Sequence, residues 1–398
     1  MNSVTADSTP ACSGGRPVRP EPVACTVPAD DVVRAEVEEL MANGLLSDWY
    51  GGPQSHRFEE AFAAYHGPGT HAVAVNSGTS ALHLSLAAAG VGPGTEVIVP
   101  ALCYVAAAAA VVQLGGIPVI CDVEPDSLTL DTARAEALVS SRTRAILPVH
   151  FWGYPADLVT LREVCERHGL ALVEDAAQAP GATVGDRKVG TFGEFATYSL
   201  GVRKHVACGE GGVVLARTAS QADRIRSLCN SGKGPGWDDY LTLGYNYRMV
   251  EFSAIVARRG LERLDDEIAA RRYAAELYRE GLKSTDLTPV AEPRWGRCVY
   301  FKLPILLPEE GAERRQAVVD GINAENVSCR IPHRPLYSIP WLRDYTKEHG
   351  VYPGDGMWPV AQAAHARLIE VETGPNLPAH EAAKSVHAVH RVWNSFTD

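Results

Sequence analysis

The stretch HAVAVNSGTSALHLSLAAAGVGPGTEVIVP, residues 71–100, contains two kinds of apolar pattern. Its ends, residues 71–75 and 95–100, are short runs rich in valine and isoleucine, which is typical of buried strands. Between them, residues 77–90 have the length and composition of a helix. A strand, a helix and a second strand in this order predict parallel strands joined by a crossover helix.

The same alternation continues along the chain beyond residue 100. We predict further strands in IPVICDV, RAILPVH, LALVEDA, ATYSL and GGVVLA (residues 117–123, 144–150, 170–176, 196–200 and 211–216). Short buried strands separated by helices indicate an α/β fold with a mostly parallel central sheet and helices on both faces. Ligands of such sheets bind at the carboxyl ends of the strands.

The two ends of the chain differ in composition from this region. Residues 1–28 are rich in proline, glycine, serine and threonine, which predicts a loose N-terminal arm. We predict a large domain over residues 29–270 and a smaller C-terminal α+β domain over residues 271–398. The helical pattern of residues 251–282 crosses that boundary, as one long helix to about Ala270 followed by its continuation or a partner helix.

Composition excludes several classes of protein. The formal net charge of −11 disfavours nucleic-acid binding by a general positive field, although a local pocket for a small anion remains compatible with it. The nine cysteines are scattered without a CxxC pair, so we expect neither a metal cluster nor a disulfide framework. No apolar run reaches membrane length and no signal peptide is visible, so we expect a cytoplasmic protein without a membrane partner.

The first candidate site is the strand-to-helix turn at Ser77, Gly78 and Thr79. Free backbone N–H groups and hydroxyls at a helix N-terminus form an anion site, which the helix dipole favours. The alternative is simple capping of the helix by Ser77 or Thr79.

The second candidate site is Asp175, which ends the predicted strand in LALVEDA. A buried carboxylate at this position is costly without a partner, and a cationic ring nitrogen is a suitable one. Gln178, three residues later, can face the same cavity. The alternative is an aspartate that caps a helix.

The third candidate is YSLGVRKHVACGEGG, residues 198–212, in which Lys204 follows Ser199 by five residues. Lysine forms a Schiff base once its pKa is lowered, whereas most single lysines are solvated at the surface. An anion site, a buried aspartate and a lysine in the next loop together match the needs of pyridoxal phosphate. The lysine binds the aldehyde, the aspartate keeps the ring nitrogen protonated, and the helix N-terminus holds the phosphate.

From about residue 48 to 282, the chain resembles the DegT/StrS-type family of sugar and aminocyclitol aminotransferases, which have the pyridoxal-phosphate-dependent transferase fold type I. The resemblance is carried by NSGTSAL, EVIVP, IPVICDVEPDSLTLD, ILPVHFWGYPAD, VEDAAQAPGA, the S-x4-K-x4-GEGG stretch and GYNYRM (residues 244–249). These motifs occur in the family's order and spacing. The C-terminal third matches more loosely, mainly through IPHRPLY around His333.

The resemblance implies a role for each matching residue. Lys204 is the Schiff-base lysine and moves the proton, Asp175 pairs with the ring nitrogen, and Gln178 reaches the ring hydroxyl. The phosphate ligands implied are Ser77, Gly78, Thr79 and Ser199, with Asn246 from a neighbouring subunit, and Tyr104 stacks on the ring. A homodimer with shared active sites follows from the role of Asn246.

The resemblance also implies the reaction and its substrates. An amino-acid donor, L-glutamate or L-glutamine, supplies the amino group for a keto sugar or keto cyclitol in sugar or secondary-metabolite biosynthesis. Candidate substrate contacts are Arg203, Arg248 and His333. Arg203 is otherwise a solvated arginine, and Arg248 is otherwise an interface ion pair.

Two features depart from the family's pattern. LCY at residues 102–104 stands where the family usually has threonine followed by an aromatic residue. SLGVRKH at residues 199–205 replaces the usual aromatic and amide residues that help shape the substrate pocket. The identity of the acceptor therefore cannot be inferred from that of a relative. Related sugar dehydratases carry histidine in the lysine position, but here His205 lies one residue later and we interpret it as a packing residue. A dehydratase or lyase on the same fold, and a non-catalytic regulator, are the alternative functions.

Overall fold

The computed structural model of the protein describes residues 9–24, 27, 29–49, 51–236, 238–374 and 377–397. Its helices are α1 (Asp31–Asn43), α2 (Pro53–His66), α3 (Gly78–Ala88), α4 (Ala106–Gln113), α5 (Thr132–Ala137), α6 (Leu158–His168), α7 (Ala219–Cys229), α8 (Glu251–Glu262), α9 (Leu264–Gly281), α10 (Arg315–Ala324), α11 (Pro340–Glu348), α12 (Pro359–Arg367) and α13 (Ala379–Thr397). Short 3-10 helices cover Ala11–Ser13, Phe151–Gly153, Glu309–Arg314 and Leu336–Ser338.

The strands fall into one large sheet and two small ones. They are β1 (His71–Val75), β2 (Glu96–Pro100), β3 (Ile117–Cys121), β4 (Thr143–Ile146), β5 (Ala171–Asp175), β6 (Thr183–Val184), β7 (Arg187–Lys188), β8 (Phe195–Ser199), β9 (Gly212–Ala216), β10 (Thr288–Pro289), β11 (Gly296–Arg297), β12 (Leu303–Leu306), β13 (Cys329–Arg330) and β14 (Leu368–Val371).

The large sheet has the strand order β1-β9-β8-β5-β4-β2-β3. Only β9 runs antiparallel to its neighbours, and every other pair is parallel. The strands predicted from residues 71–216 therefore exist, and the mostly parallel α/β architecture is confirmed. Their side chains are almost all buried because helices cover both faces of a parallel sheet.

The C-terminal part forms an antiparallel sheet with the order β10-β12-β14-β13. The long helical region does not break near residue 270 but at Arg263, where α8 ends and α9 begins. Helix α8 packs on α2, whereas α9 packs on α13. The domain boundary predicted at residue 270 lies inside α9 and stays a prediction.

The N-terminal segment lies against the C-terminal domain. Arg19 is fully buried, forms an ion pair with Glu372, and lies 2.9 Å from the carboxylate of Glu381. Glu325 accepts hydrogen bonds from the backbone N–H groups of Ala11 and Val18. Residues 9–24 are thus held by buried ion pairs and are not the loose arm that their composition predicts. Of the other residues of that predicted arm, Val27 is described, whereas residues 1–8, 25, 26 and 28 lie outside the described residues.

Two further expectations concern membranes and cysteines. Within the described ranges, no helix has both the length and the apolar composition required to span a bilayer. Among these same residues, eight cysteines are free thiols, and Cys25 lies outside the described part of the chain.

Candidate active site

The turn between β1 and α3 provides a helix N-terminus at the carboxyl edge of the sheet. Ser77 has an extended backbone, and its Oγ accepts a hydrogen bond from the backbone N–H of Ser80 at 3.1 Å. Ser77 is therefore the N-cap of α3, which leaves the N–H groups of Gly78 and Thr79 at the positive end of the helix dipole. Capping and anion binding are compatible here, because the cap uses one donor of the first turn and leaves others.

Gly78 allows this helix start to approach the end of β8. A Cβ atom at Gly78 would lie 2.7 Å from the Cβ of Ser199, well inside van der Waals contact. On the other side, a Cβ at Gly212 would lie 2.4 Å from the carbonyl oxygen of Ser77. The absence of side chains at these two glycines lets the ends of β8 and β9 approach the start of α3, and a helix N-terminus of this kind suits a phosphate group.

We expect Gly78→Ala to weaken cofactor binding about tenfold or more, because the added methyl group separates Ser199 from the start of α3. Absorbance titration of the cofactor-free protein measures the affinity. Gly92→Ala is the matched control, since a Cβ there meets no atom within 4 Å. Equal affinities in the two variants would contradict the assignment of this turn to the phosphate.

Asp175 is the last residue of β5 and is 4% exposed. Its Oδ1 accepts one hydrogen bond, from the backbone N–H of Ala177 at 3.0 Å. Burial raises the pKa of the carboxyl group, while that hydrogen bond and the positive charges of Lys204 and His150 lower it. A buried carboxylate with so little compensation fits the protonated ring nitrogen of pyridoxal phosphate.

Lys204 lies in the loop between β8 and β9. Burial lowers the pKa of its amine to about 8, and the negative charge of Asp175 acts in the opposite direction. The Nζ atom lies 4.7 Å from the ring centroid of Phe301. At pH 7 about a tenth of the amine is therefore unprotonated, a larger fraction than in an ordinary lysine, which suits a nucleophile or base.

Gln178 and Tyr104 occupy different surroundings. The Oε1 atom of Gln178 accepts a hydrogen bond from the backbone N–H of Trp152 at 2.8 Å, which fixes the orientation of the amide. Tyr104 is 47% exposed and packs edge-to-face on His333, with ring centroids 5.1 Å apart. The structure thus brings together Tyr104 and His333, which are more than 200 residues apart in sequence.

Three predicted site residues lie outside this cluster. Arg203 is exposed and lines a separate cavity of about 300 Å³. Arg248 donates a hydrogen bond to Oδ1 of Asn230 at 2.6 Å and lines another cavity, of about 520 Å³. Asn246 is exposed and pairs through its backbone with Asn230. Lys204 and Asp175 line neither of these cavities.

His205 and Cys103 serve as packing residues beside the site. His205 is buried, and its Nε2 lies 3.1 Å from the carbonyl oxygen of Val299. Burial lowers the pKa of its imidazole well below the ordinary value, so the ring is neutral and donates that hydrogen bond. Burial, followed by the charge of Asp175, raises the pKa of the Cys103 thiol, which therefore stays protonated.

Sequence reasoning missed two residues of the C-terminal domain at this site. Phe301 contacts Lys204 as described above, and the positive charge of Arg330 lowers the pKa values of Lys204 and His333 after the larger effect of burial. Arg330 is itself paired with Glu370. No local motif marks either residue, although Arg330 directly precedes the IPHRPLY stretch around His333.

Comparison with known proteins identifies the class of this site. The DegT/DnrJ/EryC1/StrS aminotransferase family model matches residues 29–390. The dTDP-3-amino-3,4,6-trideoxy-alpha-D-glucose transaminase of Streptomyces venezuelae is 35% identical over 93% of this chain and 95% of its own length. The GDP-perosamine synthase of Vibrio cholerae is 34% identical over 91% of this chain and 96% of its own length.

A solved structure agrees with these relatives. The crystal structure of S. venezuelae DesV in complex with a ketimine intermediate superposes with a TM-score of 0.79 at 34% identity, over 92% of this chain and 98% of that chain. The chain therefore belongs to the DegT/DnrJ/EryC1/StrS aminotransferase family and is a pyridoxal-phosphate-dependent enzyme.

Proposed function

We propose that this aminotransferase moves the amino group of L-glutamate or L-glutamine to the ketone of a sugar or a cyclitol. The observation that carries the proposal is Lys204, whose amine has a pKa lowered to about 8 and lies within the electrostatic influence of the buried Asp175. The printed names of the two relatives above, a perosamine synthase and an amino-sugar transaminase, support a sugar as the acceptor.

Individual residues divide the work of the reaction. When bound, pyridoxal phosphate supplies an aldehyde that condenses with amines and a ring that withdraws electrons from the adjacent bond. Asp175 holds the ring nitrogen protonated, and the turn at Ser77, Gly78 and Ser199 holds the phosphate. Lys204 Nζ removes the proton from Cα of the donor and returns a proton to the amine-bearing carbon of the product.

The acceptor enters beside the C-terminal domain. Tyr104 and His333 form an aromatic pair there, and Arg330 adds a positive charge. Burial lowers the pKa of His333, so its imidazole is neutral and both donates and accepts hydrogen bonds. Tyr104, His333 and Arg330 together therefore offer hydrogen-bonding groups that suit the hydroxyls of a sugar or cyclitol ring.

The proposal includes a homodimer with shared active sites. Large apolar side chains stay exposed around Asn246 and Arg248, among them Leu241, Leu243 and Phe252, of which Leu243 is 80% exposed. Large exposed apolar side chains are favoured at interaction surfaces. A second copy on this surface would bring its Asn246 towards the phosphate and its Arg248 towards the donor. Light scattering that gave only a 42.7 kDa species at assay concentration would contradict this assembly.

The test is amino transfer with defined pairs of substrates. Purified enzyme with pyridoxal phosphate is incubated with L-glutamate or L-glutamine and with a keto sugar or a keto cyclitol, and mass spectrometry follows the amino product. We expect an amino product only when both donor and acceptor are present. A dehydrated product formed without a donor would instead establish the lyase alternative.

A further inference from the structure

A further cavity, different from the two described above, lies at the opposite edge of the central sheet from Lys204. In the antiparallel pair of β8 and β9, Ser199 faces Gly212 at the active-site end and Phe195 faces Ala216 at the other end. The two ends are four residue steps apart, which is about 13 Å along a strand. The cavity has a volume of about 610 Å³, and its lining includes Phe195 and Arg217 but neither Lys204 nor Asp175. It is therefore separate from the active site.

The charged groups of this cavity are mostly arginines. Four arginines and two glutamates line it: Arg144, Arg162, Arg217, Arg224, Glu166 and Glu194. A positive excess is unusual on a chain with a formal net charge of −11, since acidic side chains are available to neutralise it. A cleft lined by charges of one sign concentrates counter-ions of the other sign.

In the described part of the chain, neither glutamate pairs with the other three arginines of the cavity, Arg144, Arg217 and Arg224. Glu166 is paired with Arg162 at 2.8 Å, and Glu194 accepts a hydrogen bond from the backbone N–H of Leu172 at 2.7 Å. Among the described residues, Arg217 and Arg224 are exposed and form no side-chain hydrogen bond or ion pair. Both guanidinium groups are thus available to a ligand.

Arg144 is held in place by the backbone around it. Its Nε donates a hydrogen bond to the carbonyl oxygen of Ala89 at 2.8 Å, at the end of α3. Gly90 leaves room for the guanidinium, since a Cβ there would lie 3.0 Å from Nε and Nη2 of Arg144. One edge of the guanidinium is therefore fixed, while its remaining N–H groups have no carboxylate partner in the described part of the chain.

Two neighbouring features increase the positive potential. Ser220 and Gln221, in the first turn of the eleven-residue helix α7, also line the cavity, so the positive end of that helix dipole faces it. Arg187 lies 4.1 Å above the ring of Phe192, another lining residue. Burial, then the charge of Arg162, lower the pKa of Arg187; the charge of Glu174 opposes this, and Arg217 adds a smaller lowering effect.

We propose that this cavity binds a small anion that carries a diphosphate group, either free pyrophosphate or a nucleoside diphosphate. Arginine forms paired hydrogen bonds with phosphate oxygens, and three guanidinium groups around one cavity match the several charges of a diphosphate. A volume of about 610 Å³ also accommodates a nucleoside attached to it. This site is independent of the proposed transamination, because it shares no residue with the active site.

The test is calorimetric titration of the cofactor-loaded enzyme with pyrophosphate and, separately, with ADP. We expect binding that weakens as salt is added, and that weakens about tenfold or more in Arg217→Glu/Arg224→Glu. Arg297→Glu is the matched control: Arg297 is exposed on β11 and lines none of the cavities described above. If the charge-reversed protein does not fold, Arg217→Gln/Arg224→Gln serves for the same comparison.

Each outcome of this titration decides one point. Tighter binding of ADP than of pyrophosphate identifies a nucleotide, and equal binding identifies the diphosphate group alone. Absence of binding for both probes overturns the proposal, as does an affinity unchanged by the double substitution. Transamination in the double variant should equal that of the unmodified enzyme, so failure of this site and failure of the proposed function are distinguishable.

Discussion

Lys204→Ala is expected to lower the rate of transamination by on the order of 10⁴-fold or more. The substitution removes the amine that binds the cofactor aldehyde and moves the proton, and within the described ranges no second lysine acts on the pKa of Asp175. The variant should still bind the cofactor through the turn at Ser77 and Gly78, but without the absorbance of the lysine-bound form. Turnover and the absorption spectrum are the two measurements.

A direct label separates this assignment from a general loss of structure. Reduction of the unmodified enzyme with borohydride, followed by peptide mapping, should place the cofactor on the peptide that contains Lys204. Lys283→Ala is the matched control, because Lys283 is exposed and paired only with Glu280 on the surface. Label on another lysine, or retained turnover in Lys204→Ala, would show that the catalytic residue is elsewhere.

Asp175→Asn is expected to lower activity without lowering stability. The rate should fall on the order of 10³-fold, since the ring nitrogen loses the negative charge that keeps it protonated. The free energy of unfolding of the cofactor-free protein should stay the same or rise, because the variant no longer buries a carboxylate with one hydrogen bond. Steady-state kinetics and chemical denaturation measure the two effects.

The stability of the cofactor-free protein should also depend on pH in a direction set by the pKa of Asp175. Because the pKa of Asp175 is raised in the folded protein, the folded state holds its proton to higher pH than the unfolded state does. The cofactor-free protein therefore loses stability as the pH rises from the ordinary aspartate pKa through the raised one. Asp175→Asn should lack this loss, and the control Asp186→Asn, at an exposed position, should keep it. If the unmodified protein, Asp175→Asn and Asp186→Asn had the same dependence of stability on pH, the pKa of Asp175 would not be raised by folding.

The parts of the fold that were predicted well depend on short segments. The strands at residues 71–75 and 96–100 and the helix between them follow from local apolar periodicity, because strand and helix differ in the spacing of their buried side chains. The break at Arg263 was missed because residues 251–282 keep a helical pattern throughout and contain no proline at that point. The packing of residues 9–24 was missed because a proline-rich segment gives no sign that Arg19 becomes fully buried.

What the sequence alone determined is the set of groups that are neighbours along the chain: Ser77 beside Gly78, Asp175 at the end of a strand, and Lys204 five residues after Ser199. Motif spacing carries this information because strand and helix geometry are local. Only the tertiary structure decided that Phe301 lies against Lys204, and that burial, opposed by the charge of Asp175 and aided by that of Arg330, lowers the pKa of its amine to about 8. Burial and electrostatic fields depend on residues about 100 positions apart, which meet only when the two domains pack together.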